Sequence, residues 1–530
     1  MKKTLYGLSA LAAALLVGAA PVSAKTLVYC SEGSPENFTP AINITGTSLD
    51  AARPVFNQLV EFERGSTNVI PGLAESWTVS ADGKEIVFKL RAGVKFHARG
   101  DFKPTRDFNA DDVLWSFNRQ WKADHPYAKV SGGAYDYFND MGMPDLIAAI
   151  DKVDDLTVKF TLKESNAPII ANLAMDFATI QSAEYADFLL TTGTPEKFDQ
   201  EPVGTGPFEF VGYQKDSVIR FRAFDAYWGG RSKLDNLVFV ITPDATQRLA
   251  KLEKGECQVM IAPRPADLEA IKANSALALL SQPGLNIAYW AFNTQKPPFD
   301  NKAVRQAFNM AIDKKAIVEN VYLGAGQPAK NMIPPTIWSY NDAVADYPFD
   351  QAKAAEMLKA AGVATPLQID LWYMPVQRPY NPNGKRIAEM MQADLAKIGV
   401  NATLVTYEWG EYRKRMQQGE HVTGQLGWTG DNGDPDNFFF LQGCDAARPG
   451  GQNLAKWCNE EFDKRLKEAR MLSDKAARTK LYEEMQVIHK DEAPLFTIAH
   501  SVVYEATTAN VVDYRISPFG RHEFYGVDLK

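Results

Sequence analysis

The sequence predicts an α/β protein of two or three domains built on mixed sheets. Three observations carry this. A chain of 530 residues exceeds what one core holds, since single hydrophobic cores stop growing near roughly 250–300 residues. Residues 366–431 alternate strand and helix periodicities, the signature of a parallel or mixed sheet. The first half mixes strand and helix signals in an α+β manner.

In chain order, Met1-Lys-Lys3, the apolar run 11–20 and Pro21-Val-Ser-Ala24 read as an export leader cleaved after Ala24. A membrane anchor is the rival reading, but the run falls short of the roughly 20 apolar residues a span needs. Lys25-Thr-Leu-Val-Tyr29 reads as a strand, and Glu85-Ile-Val-Phe-Lys-Leu-Arg91, after the Asp82-Gly83 turn signal, as a half-buried one. Asn109 followed by Asp111 and Asp112 marks a helix start. From about residue 284 the rhythm changes. Leu367, Ile369 and Leu371 alternate as a strand, residues 385–398 carry helical spacing, and Val400, Ala402 and Leu404 alternate again. A helix over about 410–418 then leads to a strand ending near Trp428.

In such sheets ligands sit beyond the carboxyl ends of the strands. Two segments poor in regular-structure signals fall there, 374–383 after the first strand and 427–439 after the third. One carries Arg378 and the other Asp431, which are opposite charges. For Arg378 the competing reading is a surface salt bridge. Asp434 and Asp436, in Asp-Pro-Asp-Asn437, read as turn and helix-capping groups.

Other function classes find little support. The formal net charge is −8, with cations scattered among acids, so no nucleic acid is expected as partner. The six histidines form no His-Glu-x-x-His, and no Gly-x-Ser-x-Gly elbow or phosphate loop is present, so neither an enzyme nor a cofactor is expected. A calcium loop starting at Asn432 fails in register, with Asn437 where glycine belongs and Gly443 where glutamate belongs, so no metal is expected. Four cysteines, Cys30, Cys257, Cys444 and Cys458, in an apparently exported chain point to disulfides. Of three pairings, the short separation favours Cys444 with Cys458, leaving Cys30 with Cys257.

Several separated blocks resemble one family. Leu73-Ala-Glu-Ser-Trp-Thr-Val-Ser-Ala-Asp-Gly-Lys-Glu-Ile-Val-Phe-Lys-Leu-Arg-Ala-Gly-Val-Lys-Phe-His97 is similar to the signature of the peptide and nickel class of extracytoplasmic solute-binding proteins. Gly204-Thr-Gly-Pro-Phe208, Tyr227-Trp228, Phe292-Asn293, Pro298-Phe-Asp300 and Val304-Arg-Gln-Ala307 resemble further family blocks. Within it, Tyr29-Cys-Ser-Glu-Gly-Ser-Pro35, 374–383, 405–412 and 427–439 look like the dipeptide-binding members, and the four cysteines fall where their two disulfides would be.

The resemblance implies a two-lobed periplasmic-binding-protein fold: leader 1–24, lobe I over 25–283 with an extra subdomain at about 56–206, lobe II over 284–501, and a return to lobe I over 502–530. It implies a monomeric periplasmic receptor that takes a dipeptide or other short peptide and docks on an inner-membrane ABC permease. The alternative is the same fold serving tripeptides, longer peptides, haem, δ-aminolevulinate or opines. By position, Asp431 takes the peptide ammonium and Arg378 its carboxylate. Main-chain contacts come from Gly427, Trp428 and Thr429 and from Thr45, Gly46 and Thr47, while Tyr135, Tyr137, Tyr380 and Trp428 line side-chain pockets unless they are ordinary core.

Overall fold

The computed structural model describes residues 24–530, so the leader expected over 1–24 lies outside the described residues apart from Ala24. The chain is α/β with mixed sheets. Its largest sheet has 12 strands. One group of strands in it is built around Thr26–Ser31, which runs parallel to Asn236–Ile241 and Val259–Ile261. The other contains Leu367–Trp372 parallel to Val400–Val405, with Thr423–Thr429 between Leu367–Trp372 and the antiparallel Asn286–Phe292. Every residue of Asn286–Phe292 is buried. Its run Ile-Ala-Tyr-Trp-Ala-Phe is apolar without alternation because it is covered on both faces.

The helices of this second group follow the expected periodicity. Gly384–Ala396 buries Ile387, Met391 and Leu395 along one stripe, and its N-cap Asn383 accepts from the Arg386 N–H. Trp409–Gln418 is capped by Glu408, which accepts from the Gly410 and Glu411 N–H groups, and ends at Gly419 with φ of 75°. In the first half, Asn109 and Asp112 form a reciprocal capping box that starts Ala110–Trp121. A separate four-stranded antiparallel sheet, Ala74–Val79, Glu85–Leu90, Thr157–Leu162 and Ile147–Asp154 in spatial order, lies inside the span 56–206.

One strand belongs to both groups. Leu495–Thr508 pairs with Asn286–Phe292 through residues 495–499 and with Leu277–Pro283 through residues 502–508. The chain therefore passes between the groups twice, at 283–286 and at 499–502. Asn286 ties the passages together: its Oδ1 accepts from the Ser501 N–H at 2.8 Å and the Ser501 hydroxyl at 3.1 Å. Its carbonyl meets His500 Nδ1 at 2.8 Å, and Gly284 donates to the Ser501 carbonyl at 3.0 Å. Asn286→Ala removes an acceptor from a buried N–H and should cost about 1–3 kcal/mol. A lower urea midpoint checks this, and an unchanged midpoint would remove Asn286 as the tie.

Cys30 bonds to Cys257 and Cys444 to Cys458, with Cα separations of 5.8 and 4.5 Å. The first joins the central strand Thr26–Ser31 to the turn before Val259–Ile261, closing 227 residues of sequence separation. Among the described residues no helix is long and apolar enough to cross a membrane.

Candidate functional site

The strand Thr423–Thr429 changes neighbours along its length, and this creates the site. On one edge it pairs with Asn286–Phe292 throughout. On the other, Leu367–Trp372 accompanies it only at Thr423 and Gly424. The Asn293 N–H donates to the Val422 carbonyl and the Gly430 N–H to the Leu285 carbonyl, so even-numbered residues here face Asn286–Phe292. Gln425, Gly427 and Thr429 then turn their peptide groups to the opposite, open edge. The Tyr412 hydroxyl takes the Gln425 carbonyl at 2.6 Å, and Gly427 and Thr429 face a cavity.

That cavity measures about 560 Å³, within the usual range for a small-molecule site. Its wall includes Thr45, Gly46, Tyr137, Arg378, Tyr380, Gly427, Trp428, Thr429 and Asp431. Nine residues singled out by sequence thus meet at one place. Thr47 and Tyr135 are not among the lining residues. The Thr47 hydroxyl donates to Glu32 Oε1 at 2.5 Å, and the buried Tyr135 donates to the Ala128 carbonyl at 3.1 Å, which ties a turn.

Asp431 follows the strand end and is held by two contacts. Its N–H donates to Asn437 Oδ1 at 2.8 Å, and its Oδ1 accepts from the Tyr137 hydroxyl at 3.1 Å. Its Oδ2 is buried without a hydrogen-bond partner among the described residues. Burial pushes the carboxyl up to about 7, against the partial opposition of the Arg521 guanidinium. A carboxylate so placed is stabilised by any cation that reaches Oδ2. Asn437 also accepts from the Trp428 indole N–H at 3.1 Å, so one buried amide sets both residues. Asp434 and Asp436 are turned away, paired with Arg478 at 2.8 Å and Arg470 at 2.6 Å. Asp434 also accepts from the Asp436 N–H at 3.0 Å, a local cap.

Arg378 sits in a tight turn closed by its own N–H and carbonyl on Asn381, at 3.0 and 2.9 Å. Its guanidinium lies 5.6 Å from the Trp409 ring centroid and forms no ion pair among the described residues. Tyr380, in the same turn, presses on Gly427: a Cβ there would meet its ring at 2.3 Å. The Tyr322 hydroxyl donates to the Tyr380 carbonyl at 2.6 Å and fixes it.

Sequence reasoning passed over Arg413, Trp409 and Glu32, which also line the cavity, and Asn437 behind it. The i, i+4 spacing of Trp409 and Arg413 on a recognisable helix was a usable signal for two of them. Asn437 had none, because its role depends on a fold-back of residues 431–437.

The family profile described as "Bacterial extracellular solute-binding proteins, family 5 Middle" matches residues 68–448. The chain is 55% identical over 513 residues to a protein of Escherichia coli (strain K12) called dipeptide-binding protein, covering 97% of this chain and 96% of that one. It is 52% identical over 509 residues to heme-binding protein A of Haemophilus influenzae, covering 96% and 93%. A crystal structure of a dipeptide binding protein from Pseudoalteromonas sp. SM9913, in complex with Met-Leu, superposes with a TM-score of 0.91 at 39% identity, covering 96% and 100%. The chain therefore belongs to the family 5 bacterial extracellular solute-binding proteins.

Proposed function

We infer that the protein is the periplasmic receptor of an ABC peptide importer and binds dipeptides through their charged termini and backbone. The observation that carries this is one cavity bounded by a buried carboxylate oxygen on Asp431 and the Arg378 guanidinium, the first without a hydrogen-bond partner and the second without an ion pair among the described residues, with an open strand edge between them. Asp431 takes the α-ammonium and Arg378 the terminal carboxylate, whose planar geometry its fork matches. Gly427 and Thr429 pair with the ligand main chain as an added strand, which reads no side chain. Fixed opposite charges measure length, because each residue adds at most about 3.6 Å and a missed ion pair leaves a buried charge uncompensated.

Thr45 and Gly46, at the start of the helix Gly46–Ala52, line the same cavity, and closure about 283–286 and 499–502 completes the site around the ligand. The ligand drives closure only through contacts better made in the closed state. The receptor is exported with cleavage after Ala24, acts as a monomer, delivers its ligand to the membrane permease and performs no catalysis. The similarity to a heme-binding relative favours haem as the second reading. Among the described residues lining the cavity there is no His, Cys or Met, so iron ligation there would fall to a tyrosine.

Calorimetry with blocked peptides tests the charge clamp. Ala-Ala should bind, while N-acetyl-Ala-Ala and Ala-Ala-amide should each bind about 100-fold more weakly or worse. Equal affinity for blocked and free peptides would overturn the reading, as would release of free alanine.

A further inference from the structure

The arginine end of the cavity holds more positive charge than one terminal carboxylate requires. Arg413 stands four residues after Trp409 on the helix Trp409–Gln418, so both side chains leave the same face. Its guanidinium lies 5.8 Å from the Trp409 ring centroid, and that of Arg378 lies 5.6 Å from the same ring. All three residues line the cavity. Among the described residues Arg413 forms neither ion pair nor side-chain hydrogen bond, and the Trp409 indole N–H is buried without an acceptor. Nearby carboxylates are committed elsewhere: Glu408 caps the helix, and Glu411 pairs with Arg415 at 2.6 Å. Of the carboxylates that line the cavity, Glu32 accepts from the Thr47 hydroxyl, Asp50 pairs with Arg53 and His522, and Asp140 pairs with Arg448. Two guanidiniums and an indole donor thus share one end of the cavity, and among the described residues neither guanidinium forms an ion pair.

We propose that Arg413, with Arg378 and the Trp409 N–H, forms a second anion subsite that selects peptides placing an additional or displaced carboxylate beyond Arg378. This rests on the dipeptide reading above and names a ligand class within it. Arginine forks bind carboxylates through paired N–H groups, and both guanidiniums lie within cation–π reach of the same indole. Two sources present the same chemistry: an acidic side chain on the second residue of a dipeptide, or the terminus of a tripeptide, displaced by about one residue length of 3.6 Å or less.

Calorimetry on the full mature protein at low salt separates them. The unmodified protein should bind Ala-Glu about tenfold or more tighter than Ala-Gln, and Arg413→Gln should bring that ratio close to one, with Arg413→Lys between. If the tripeptide terminus is the source, Arg413→Gln should instead lower the affinity for Ala-Ala-Ala relative to Ala-Ala by a similar factor. Each readout is a ratio of two ligands on one protein, so partial misfolding cannot imitate it. The subsite is overturned if Ala-Glu binds no better than Ala-Gln and the tripeptide ratio does not respond to Arg413→Gln. Failure of Ala-Ala and Ala-Gln to bind at all would overturn the dipeptide reading beneath it.

Discussion

Asp431→Asn is expected to weaken dipeptide binding by about 3–5 kcal/mol, roughly two to four orders of magnitude in Kd, while making the ligand-free protein more stable. Both effects come from one atom. Oδ2 is buried with no partner among the described residues, so the ionised carboxylate is held at a cost that an arriving ammonium would offset. Asparagine keeps the shape, the N–H contact to Asn437 and an acceptor for Tyr137, and removes the charge. The sign of the stability effect follows from the direction of the shift. The folded-state value, about 7, lies above the ordinary 3.8, so the folded protein holds an extra proton between them and loses stability as pH rises through that window. Asp431→Asn should thus raise Tm at pH 8 and give little advantage below pH 4. A variant that loses both binding and stability would mean that the carboxylate is structural.

The same shift makes binding proton-linked. In this conformation burial holds the Asp431 carboxyl well above the ordinary carboxylate range, so an ammonium bound at Oδ2 would displace the proton it keeps there. Calorimetry in buffers of different ionisation enthalpy should report net proton release on binding near pH 7. Kd should rise by up to tenfold per unit of pH below that. Asp431→Asn should abolish both dependences.

The parts of the fold that were legible in sequence are those in which local pattern and tertiary environment agree. The strand–helix alternation of 366–431 was readable because the strands Leu367–Trp372 and Val400–Val405 alternate and the helix Gly384–Ala396 carries an apolar stripe. The site's two charges were legible because opposite charges stood in turn-rich segments after strands, a position with a general meaning in α/β sheets. Other features were silent for physical reasons. The tie between Asn286 and Ser501 joins residues 215 apart in sequence. The contact between Tyr137 and Asp431 spans 294 residues, so each could be named but not their meeting. Tyr135 and Tyr137 are two residues apart, yet one reaches the cavity and the other ties a turn, because the chain between them bends into the short helix Asp136–Asp140. That a single strand, Leu495–Thr508, serves both groups was silent too, since pairing partners leave no mark on composition.

Gly427→Ala is the other change with a large expected effect, and it adds only one methyl group. That carbon would lie 2.3 Å from the Tyr380 ring and 2.4 Å from the Ile287 carbonyl oxygen, distances that real side chains do not adopt. Ile287 belongs to a strand buried along its whole length and yields little, so the strain falls on the backbone around Gly427 and on the Tyr380 ring together. Tyr380 is itself fixed through its carbonyl by Tyr322 and shares the turn that carries Arg378, so its displacement shifts the guanidinium proposed to receive the peptide carboxylate. Overpacking of this kind costs about 1–3 kcal/mol in stability. Binding should suffer more, because the strand edge and the arginine are disturbed together, and a loss of about 100-fold in Kd is expected. The cause is identified by pairing the change with Tyr380→Ala. If the ring is what clashes, the double variant should be more stable than the two single costs add up to, a coupling of opposite sign to that of two independent lesions. Strict additivity would place the damage in the strand backbone instead, and unchanged binding by Gly427→Ala would show that the ligand does not pair along this edge.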